Sequence, residues 1–178
     1  IDTLTGGAGN DTLTGGTGAD TFTIFQDTTD EAPTDVIATT ITDFVSGTDA
    51  KIAVKNPSGT KITIAIASAA AQTGVGRASI AATTGVVAFN VADDTMAEKL
   101  VALSEAINDS GNNAGNNAGA DGALGESVIF SHGSDSFVYV EDGVIGVTSS
   151  DMLVKLEGIT GVDSLGITSG EITSLISA

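Results

Sequence analysis

Two tandem nine-residue repeats near the amino terminus constrain the fold of this chain more than any other feature. They span Gly6–Thr14 and Gly15–Thr23, and both follow the pattern G-G-x-G-x-D-x-U-x, in which U is a large apolar residue. The segment Asp2–Thr5 matches the second half of a third copy. A glycine-rich nine-residue period of this kind predicts a parallel β-roll, in which each repeat supplies one turn and one short strand.

Each repeat divides into a six-residue turn and a three-residue strand. Glycine permits the positive-φ backbone of a tight turn and the close approach of its carbonyl groups to an ion. In the strand, alternation of side chains directs the apolar residue inward and its threonine neighbours outward. We therefore expect Leu4, Leu13 and Phe22 to form an internal stack.

The aspartates of the repeats predict a cation site. Successive turns of a two-sided roll alternate between its edges, so Asp2 and Asp20, eighteen residues apart, fall on the same edge. Rungs about 4.8 Å apart bring two carboxylates to a distance at which they repel by about 3 kcal/mol at an effective dielectric constant of about 20. A hard dication with oxygen ligands reverses this repulsion, and calcium suits cages of carbonyl and carboxylate oxygens.

The repeats resemble those of the RTX family of secreted bacterial proteins, in which each calcium ion lies between turns two repeats apart. Carried over, the resemblance implies one site formed by Asp2, Gly15, Thr17 and Asp20, whose remaining ligands would precede Ile1. It also implies ligands that face later sequence in the two turns, namely Gly7, Gly9, Asp11, Gly16, Gly18 and Asp20.

Residues 35–52 are similar to the element that closes the β-roll in serralysin-type proteases and related RTX proteins. This resemblance nominates Asp43 and Asp49 as further calcium ligands. The chain departs from the family pattern by an inserted Ala50 and by Ala53 in place of an aspartate. The alternative is a β-turn with solvated aspartates.

A flexible linker rich in glycine, threonine and aspartate is the alternative interpretation of the repeats. The linker interpretation applies to the calcium-free chain. Burial of three apolar residues cannot offset the entropic cost of ordering the segment, which is about 1–2 kcal/mol per residue. We therefore expect the roll to fold only when calcium is bound.

The charge balance excludes several classes of partner. The 178 residues include 23 acidic and six basic side chains, for a net charge of −17, and residues 1–49 contain no lysine or arginine. Such acidity argues against nucleic-acid binding and against an anionic membrane surface.

Cysteine is absent, which removes disulfides and thiol chemistry. No apolar run is long enough for a membrane span, and no amino-terminal signal peptide is recognised.

The fold predicted from these patterns is mainly all-β. Residues 1–49 form the end of the β-roll and its closing element, and residues 50–178 form a β-rich carboxy-terminal domain with one helix at about 95–108. A capping box of Thr95 and Glu98 begins that helix. Its apolar stripe at helical spacing is Met96, Leu100, Leu103 and Ile107. Residues 109–126 are of low complexity, which predicts a loop.

Residues 127–131 and 136–140 predict a β-hairpin, with His132 in its turn. As the only histidine, in a chain without cysteine, His132 does not indicate a transition-metal site. Asp135, Asp142 and Asp151 are candidates for another calcium site near Gly143, and the alternative is that they are turn aspartates.

The stretch from Phe89 to Ile172 resembles the carboxy-terminal region of RTX surface-layer proteins and other large type I-secreted surface proteins. The resemblances imply a non-catalytic, calcium-binding module of a surface-layer protein that carries a type I secretion signal. Calcium, the exporter and identical subunits in a lattice are the implied partners, and the cell surface is the implied location. The alternatives are the tail of an RTX exoenzyme or an adhesin. A serralysin-type zinc helix needs H-E-x-x-H, which a single histidine cannot supply.

Overall fold

The computed structural model describes residues 1–7, 9–26, 38–46, 51–67, 78–107, 124–144 and 150–177. Its strands, in chain order, are β1 (Thr3–Thr5), β2 (Thr12–Leu13), β3 (Thr21–Phe25), β4 (Ala38–Ile41), β5 (Lys51–Lys55), β6 (Lys61–Ile62), β7 (Ala65–Ile66), β8 (Ala78–Ile80), β9 (Val87–Phe89), β10 (Glu126–His132), β11 (Asp135–Val140), β12 (Met152–Leu156), β13 (Val162–Thr168) and β14 (Glu171–Ser177). The helix described among them is α1 (Met96–Ile107). The mainly all-β prediction is confirmed.

Two larger sheets contain most of these strands. The first has the order β1-β3-β5-β14-β13, with β6 also paired to β5, and the second has the order β2-β4-β12-β11-β10-β7. Strands β8 and β9 pair separately. Apolar residues of both larger sheets pack into one buried cluster, which places the main core between them.

The repeats form the start of both sheets, as a two-sided roll requires. Strands β1 and β3 pair in parallel with Thr3 opposite Thr21, which is the predicted eighteen-residue spacing. Strand β2, from the intervening repeat, lies in the second sheet, where Leu13 is opposite Ile41 of β4. Consecutive repeats therefore alternate between the two sheets.

The parallel pairing continues beyond residue 49 in both sheets. In the first, β5 pairs in parallel with β3, and in the second, β12 pairs in parallel with β4. The next strands, β14 and β11, are antiparallel to these two. Backbone pairing thus joins residues 1–49 to the rest of the chain, and the predicted division at residue 49 stays a prediction.

The predicted apolar stack is confirmed. Phe22 is fully buried, Leu13 is buried, and Leu4 is partly buried against them in the core between the sheets. Phe22 also lies against the ring of Phe44, with the centroids 6.0 Å apart. The inward residues of the repeats therefore contribute directly to the main core of the molecule.

The helix and hairpin predictions are also confirmed. Helix α1 buries Leu100, Leu103 and Ile107 of the predicted stripe, with Met96 partly buried. Strands β10 and β11 pair antiparallel across the His132–Asp135 turn. Within the described part of the chain, no helix is long and apolar enough to cross a membrane.

Candidate metal centres

The first glycine of each repeat lies under the aspartate five residues later. A Cβ atom added at Gly6 would come 2.9 Å from Asp11 Oδ2, and one added at Gly15 would come 2.8 Å from Asp20 Oδ2. A real Cβ does not approach an oxygen this closely, so a larger residue at either position would have to displace the carboxylate. Each turn therefore folds its carboxylate back over its own backbone.

The structure brings Asp2 and Asp20 together on one edge of the roll. The Asp2 amide donates to Asp20 Oδ1 at 2.6 Å, and the Thr21 amide donates to the Asp2 carbonyl at 2.8 Å. The Asp20 side chain is fully buried, whereas Asp2 is exposed. The shared edge predicted from the eighteen-residue spacing is confirmed.

The other ligands predicted in the turns divide between the two edges. Gly15, Gly16, Thr17 and Gly18 lie in the turn from β2 to β3, which ends at Asp20. Gly7, Gly9 and Asp11 lie in the turn from β1 to β2 at the opposite edge. Positive φ angles occur at Gly9, Gly16 and Gly18, as expected for tight turns.

Asp11 provides a test of whether the turns fit a cation. Its Oδ2 atom is buried and has no hydrogen-bond partner among the described residues. A buried carboxylate oxygen without a donor is costly, and a calcium ion is a ligand that such an oxygen accepts. The donor set therefore fits calcium. The ligands that this turn would need from later sequence stay a prediction.

Asp43 lies beside the turn that starts at Gly15. Its Oδ1 accepts a hydrogen bond from the Gly15 amide at 2.8 Å, and its Oδ2 accepts one from the Gly16 amide at 2.6 Å. The side chain thus links the end of β4 to the neighbouring turn of the roll. Its predicted role as a calcium ligand stays a prediction, and Asp49 lies outside the described residues.

A second acidic group lies far from the repeats in sequence. One carboxylate oxygen from each of Glu141, Asp142 and Asp151 lies within 4.8 Å of the others. The sequence had grouped Asp142 and Asp151 with Asp135, which instead lies at the other end of β11. There Asp135 accepts a hydrogen bond from the Gly158 amide at 2.8 Å and pairs with Lys155 at 3.1 Å. Sequence reasoning missed Glu141, since nothing local indicates that it is buried.

A groove of about 670 Å³ lies beside His132 and is lined in part by Phe89 and Lys99. Lys99 Nζ lies 5.0 Å from the centroid of the Phe89 ring and donates to the Ser131 carbonyl at 3.2 Å. His132 makes an edge contact with the ring of Phe137. Lys99 and His132 are thus already in contact with neighbouring residues of the fold. The groove is therefore a weaker candidate for a functional site than the acidic groups.

Comparison with known proteins agrees with the geometry of the turns. Residues 1–23 match the family model of the RTX calcium-binding nonapeptide repeat (4 copies). A search of curated proteins found no match. Nonapeptide repeats of this family bind Ca²⁺ and occur in secreted bacterial proteins. The amino-terminal end of this chain therefore carries RTX calcium-binding nonapeptide repeats.

Proposed function

We propose that this chain is a non-catalytic, calcium-dependent module of a type I-secreted bacterial surface protein, and that the parent protein forms a surface layer. The observation that carries the proposal is the folding of Asp11 and Asp20 over the first glycine of each turn, in repeats that match a calcium-binding family. The net charge of −17 adds to it, because cations are the natural partners of such a chain.

Calcium controls when the module folds. Where calcium is scarce, the acidic turns repel one another and the roll stays unfolded, which suits passage through a narrow exporter. Outside the cell, calcium at about millimolar concentration lies in the affinity range of extracellular calcium modules. Binding to the folded state alone then drives folding by mass action. Folding outside the cell also opposes return of the chain through the exporter.

The resemblance of residues 89–172 to surface-layer proteins supports that role over the tail of an exoenzyme. The single histidine supports a non-catalytic module, because a zinc protease helix needs two. In a lattice, ions held at the turns would also strengthen contacts between subunits. An adhesin would also be exported unfolded and fold in extracellular calcium, and it would add a ligand-binding domain.

Calcium titration of the purified chain tests the calcium-gated module. We expect calcium to increase β-structure in the circular dichroism spectrum and to raise the melting temperature, and a chelator to reverse both. The double variant Asp11→Asn with Asp20→Asn should respond only at higher calcium, since Asn keeps the size of the side chain and loses its charge. Glu157→Gln, which removes an exposed charge elsewhere, is the matched control. A wild-type spectrum that does not change up to millimolar calcium would refute the proposal.

Electron microscopy of calcium-treated protein tests the surface-layer role separately. Ordered two-dimensional sheets that dissolve with chelator are the expected result. A chain that folds with calcium but remains dispersed would contradict the lattice role and leave the calcium module intact.

A further inference from the structure

The second acidic group is assembled by the pairing of two strands. Strands β11 and β12 are antiparallel, with Val140 opposite Met152. Glu141 and Asp142 follow the end of β11, and Asp151 immediately precedes β12. This register brings the three carboxylates to the same end of the sheet, where one oxygen from each lies within 4.8 Å of the others.

Burial makes this cluster different from a solvated acidic surface. Glu141 is fully buried and Asp151 is only 4% exposed. Carboxylates are rarely buried this deeply unless a cation or a set of donors compensates them. The negative charge of this cluster therefore has to be compensated.

One carboxylate oxygen of Glu141 accepts no hydrogen bond from the residues that the structure describes. Its Oε2 accepts a hydrogen bond from the Tyr139 hydroxyl at 2.8 Å, but its Oε1 is buried and has no hydrogen-bond partner in the described part of the chain. The same hydroxyl lies 2.7 Å from Asp151 Oδ2. A phenol has one proton to donate, so it cannot donate fully to both carboxylates. The Tyr139 hydroxyl therefore does not fully satisfy Glu141 Oε2 and Asp151 Oδ2 at the same time.

Hydrogen bonds from backbone amides help to hold Asp142 and Asp151 in place. Asp151 Oδ1 accepts a hydrogen bond from the Asp142 amide at 2.9 Å, and Asp142 Oδ1 accepts one from the Val144 amide at 2.6 Å. Burial, followed by the negative charge of Asp151, raises the pKa of Glu141 to about 8, and Asp142 and Glu126 add to the effect. The cluster is therefore an ordered group of carboxylates in which the fold disfavours the charged form of Glu141.

We propose that Glu141, Asp142 and Asp151 bind a calcium ion outside the nonapeptide repeats. All the donors are oxygen atoms, and no histidine or cysteine belongs to the cluster, which favours a hard cation over a transition metal. Three carboxylates provide the charge that a calcium cage uses. The ion satisfies Glu141 Oε1 and ties the end of β11 to the start of β12.

Tyr139 makes this site separately observable. It is the only tyrosine in a chain without tryptophan, and its hydroxyl contacts two of the three ligands. Terbium(III) replaces calcium in oxygen cages and emits light when a neighbouring tyrosine transfers energy to it. Emission excited through tyrosine therefore reports an ion beside Tyr139, because this energy transfer falls steeply with distance.

The test is a terbium titration of the whole chain, kept folded in calcium. A higher concentration of calcium is then added to displace the bound terbium. We expect saturable, tyrosine-sensitised emission that calcium displaces. Changing an outer partner of a metal ligand typically costs about 10–100-fold in affinity, so loss of a direct ligand in Glu141→Gln or Asp151→Asn should cost at least about tenfold. The exposed-site control Glu157→Gln should bind like the wild type.

Each contrary result overturns the inference. Absence of calcium-displaceable emission from the folded wild-type chain would show that no such ion binds, and this arm does not depend on any variant. Wild-type affinity in folded Glu141→Gln and Asp151→Asn would remove these residues from the site. If both buried variants fail to fold, Asp142→Asn takes their place, because Asp142 is partly exposed. Displacement by magnesium at the same concentrations would overturn the assignment to calcium.

Discussion

At the scale of single residues, the glycines of the nonapeptide have different physical roles. Gly9, Gly16 and Gly18 have positive φ angles, which glycine adopts without steric cost. Gly15 has no such angle, but a Cβ atom there would lie 2.8 Å from Asp20 Oδ2 and 2.9 Å from the Phe22 ring. At Gly15 the aspartate and the apolar core residue both approach the backbone, so a side chain there would have to displace one of them.

We predict that Gly15→Ala destabilises the calcium-bound protein, because the new methyl group must displace the carboxylate or the ring. Overpacking of this kind costs about 1–3 kcal/mol. Gly7→Ala is the matched control, since a Cβ atom there meets nothing within 4 Å. Urea denaturation in saturating calcium measures both variants. An equal loss of stability in the two would show that the close approach at Gly15 is not what requires glycine.

At the scale of elements, helix α1 begins with the capping box that the sequence predicted. The Glu98 amide donates to Thr95 Oγ1 at 3.2 Å, and the Thr95 amide donates to Glu98 Oε2 at 3.0 Å. The Thr95 hydroxyl also donates to Glu98 Oε2, and these bonds lower the pKa of Glu98. Both ends of the motif are thus satisfied locally, which is why the sequence alone identified it.

Thr95→Ala should lower the free energy of unfolding by about 1 kcal/mol, the usual cost of losing an N-cap hydroxyl. Thr83→Ala, at an exposed threonine in a turn, is the control and should change stability much less. Thermal denaturation of both variants in calcium gives the comparison. A loss in Thr83→Ala as large as that in Thr95→Ala would contradict the capping role.

The Asp135 carboxylate ties the β10–β11 turn to the end of β12. The Gly158 amide, followed by Lys155, holds the pKa of Asp135 below its ordinary value of 3.8. Because folding lowers the pKa of Asp135, its ionised carboxylate stabilises the folded state at pH values above 3.8. This stabilisation is lost as the pH falls through the folded-state pKa.

We therefore expect Asp135→Asn to be less stable than wild type at neutral pH, with a difference that shrinks as the pH falls below 3.8. Urea denaturation at a series of pH values measures this difference. Glu157→Gln is again the exposed control. A difference that stays constant down to the most acid pH would contradict the ionic contribution of Asp135.

At the scale of the whole molecule, calcium binding and folding are linked through the shared core. Phe22 of the roll, Ile52 of β5 and Val154 of β12 belong to one buried cluster between the two sheets. An ion that stabilises the roll therefore stabilises a core to which the later strands also contribute. We expect calcium-dependent stability to extend beyond residue 49.

This linkage predicts how stability depends on calcium concentration. Well above the dissociation constant, each site that binds only the folded state adds about 1.4 kcal/mol per tenfold increase in calcium. At calcium concentrations below its weakened dissociation constant, Glu141→Gln should reduce the slope by about one site while leaving the response of the repeats. Chemical denaturation at a series of calcium concentrations measures the slope, with Glu157→Gln as the control. An unchanged slope in Glu141→Gln would argue against an ion at the Glu141–Asp151 cluster.

The sequence by itself determined the features that short-range periodicity encodes. The nine-residue period placed Leu13 and Phe22 in the core and Asp2 beside Asp20, because an eighteen-residue repeat fixes the strand register. The spacing of Leu100, Leu103 and Ile107 determined the buried face of α1 in the same way. These predictions succeeded because each depends on the geometry of one repeated element.

Only the tertiary structure decided how distant strands pair. Leu153 of β12 lies opposite Ala38 of β4, although more than a hundred residues separate them and no local pattern selects that partner. The pairing of β11 with β12 places Glu141 beside Asp151, whereas Asp135, which the sequence had grouped with Asp151, lies at the far end of the strand. Burial of a single carboxylate depends on which strands and loops cover it, and that is a property of the assembled sheets.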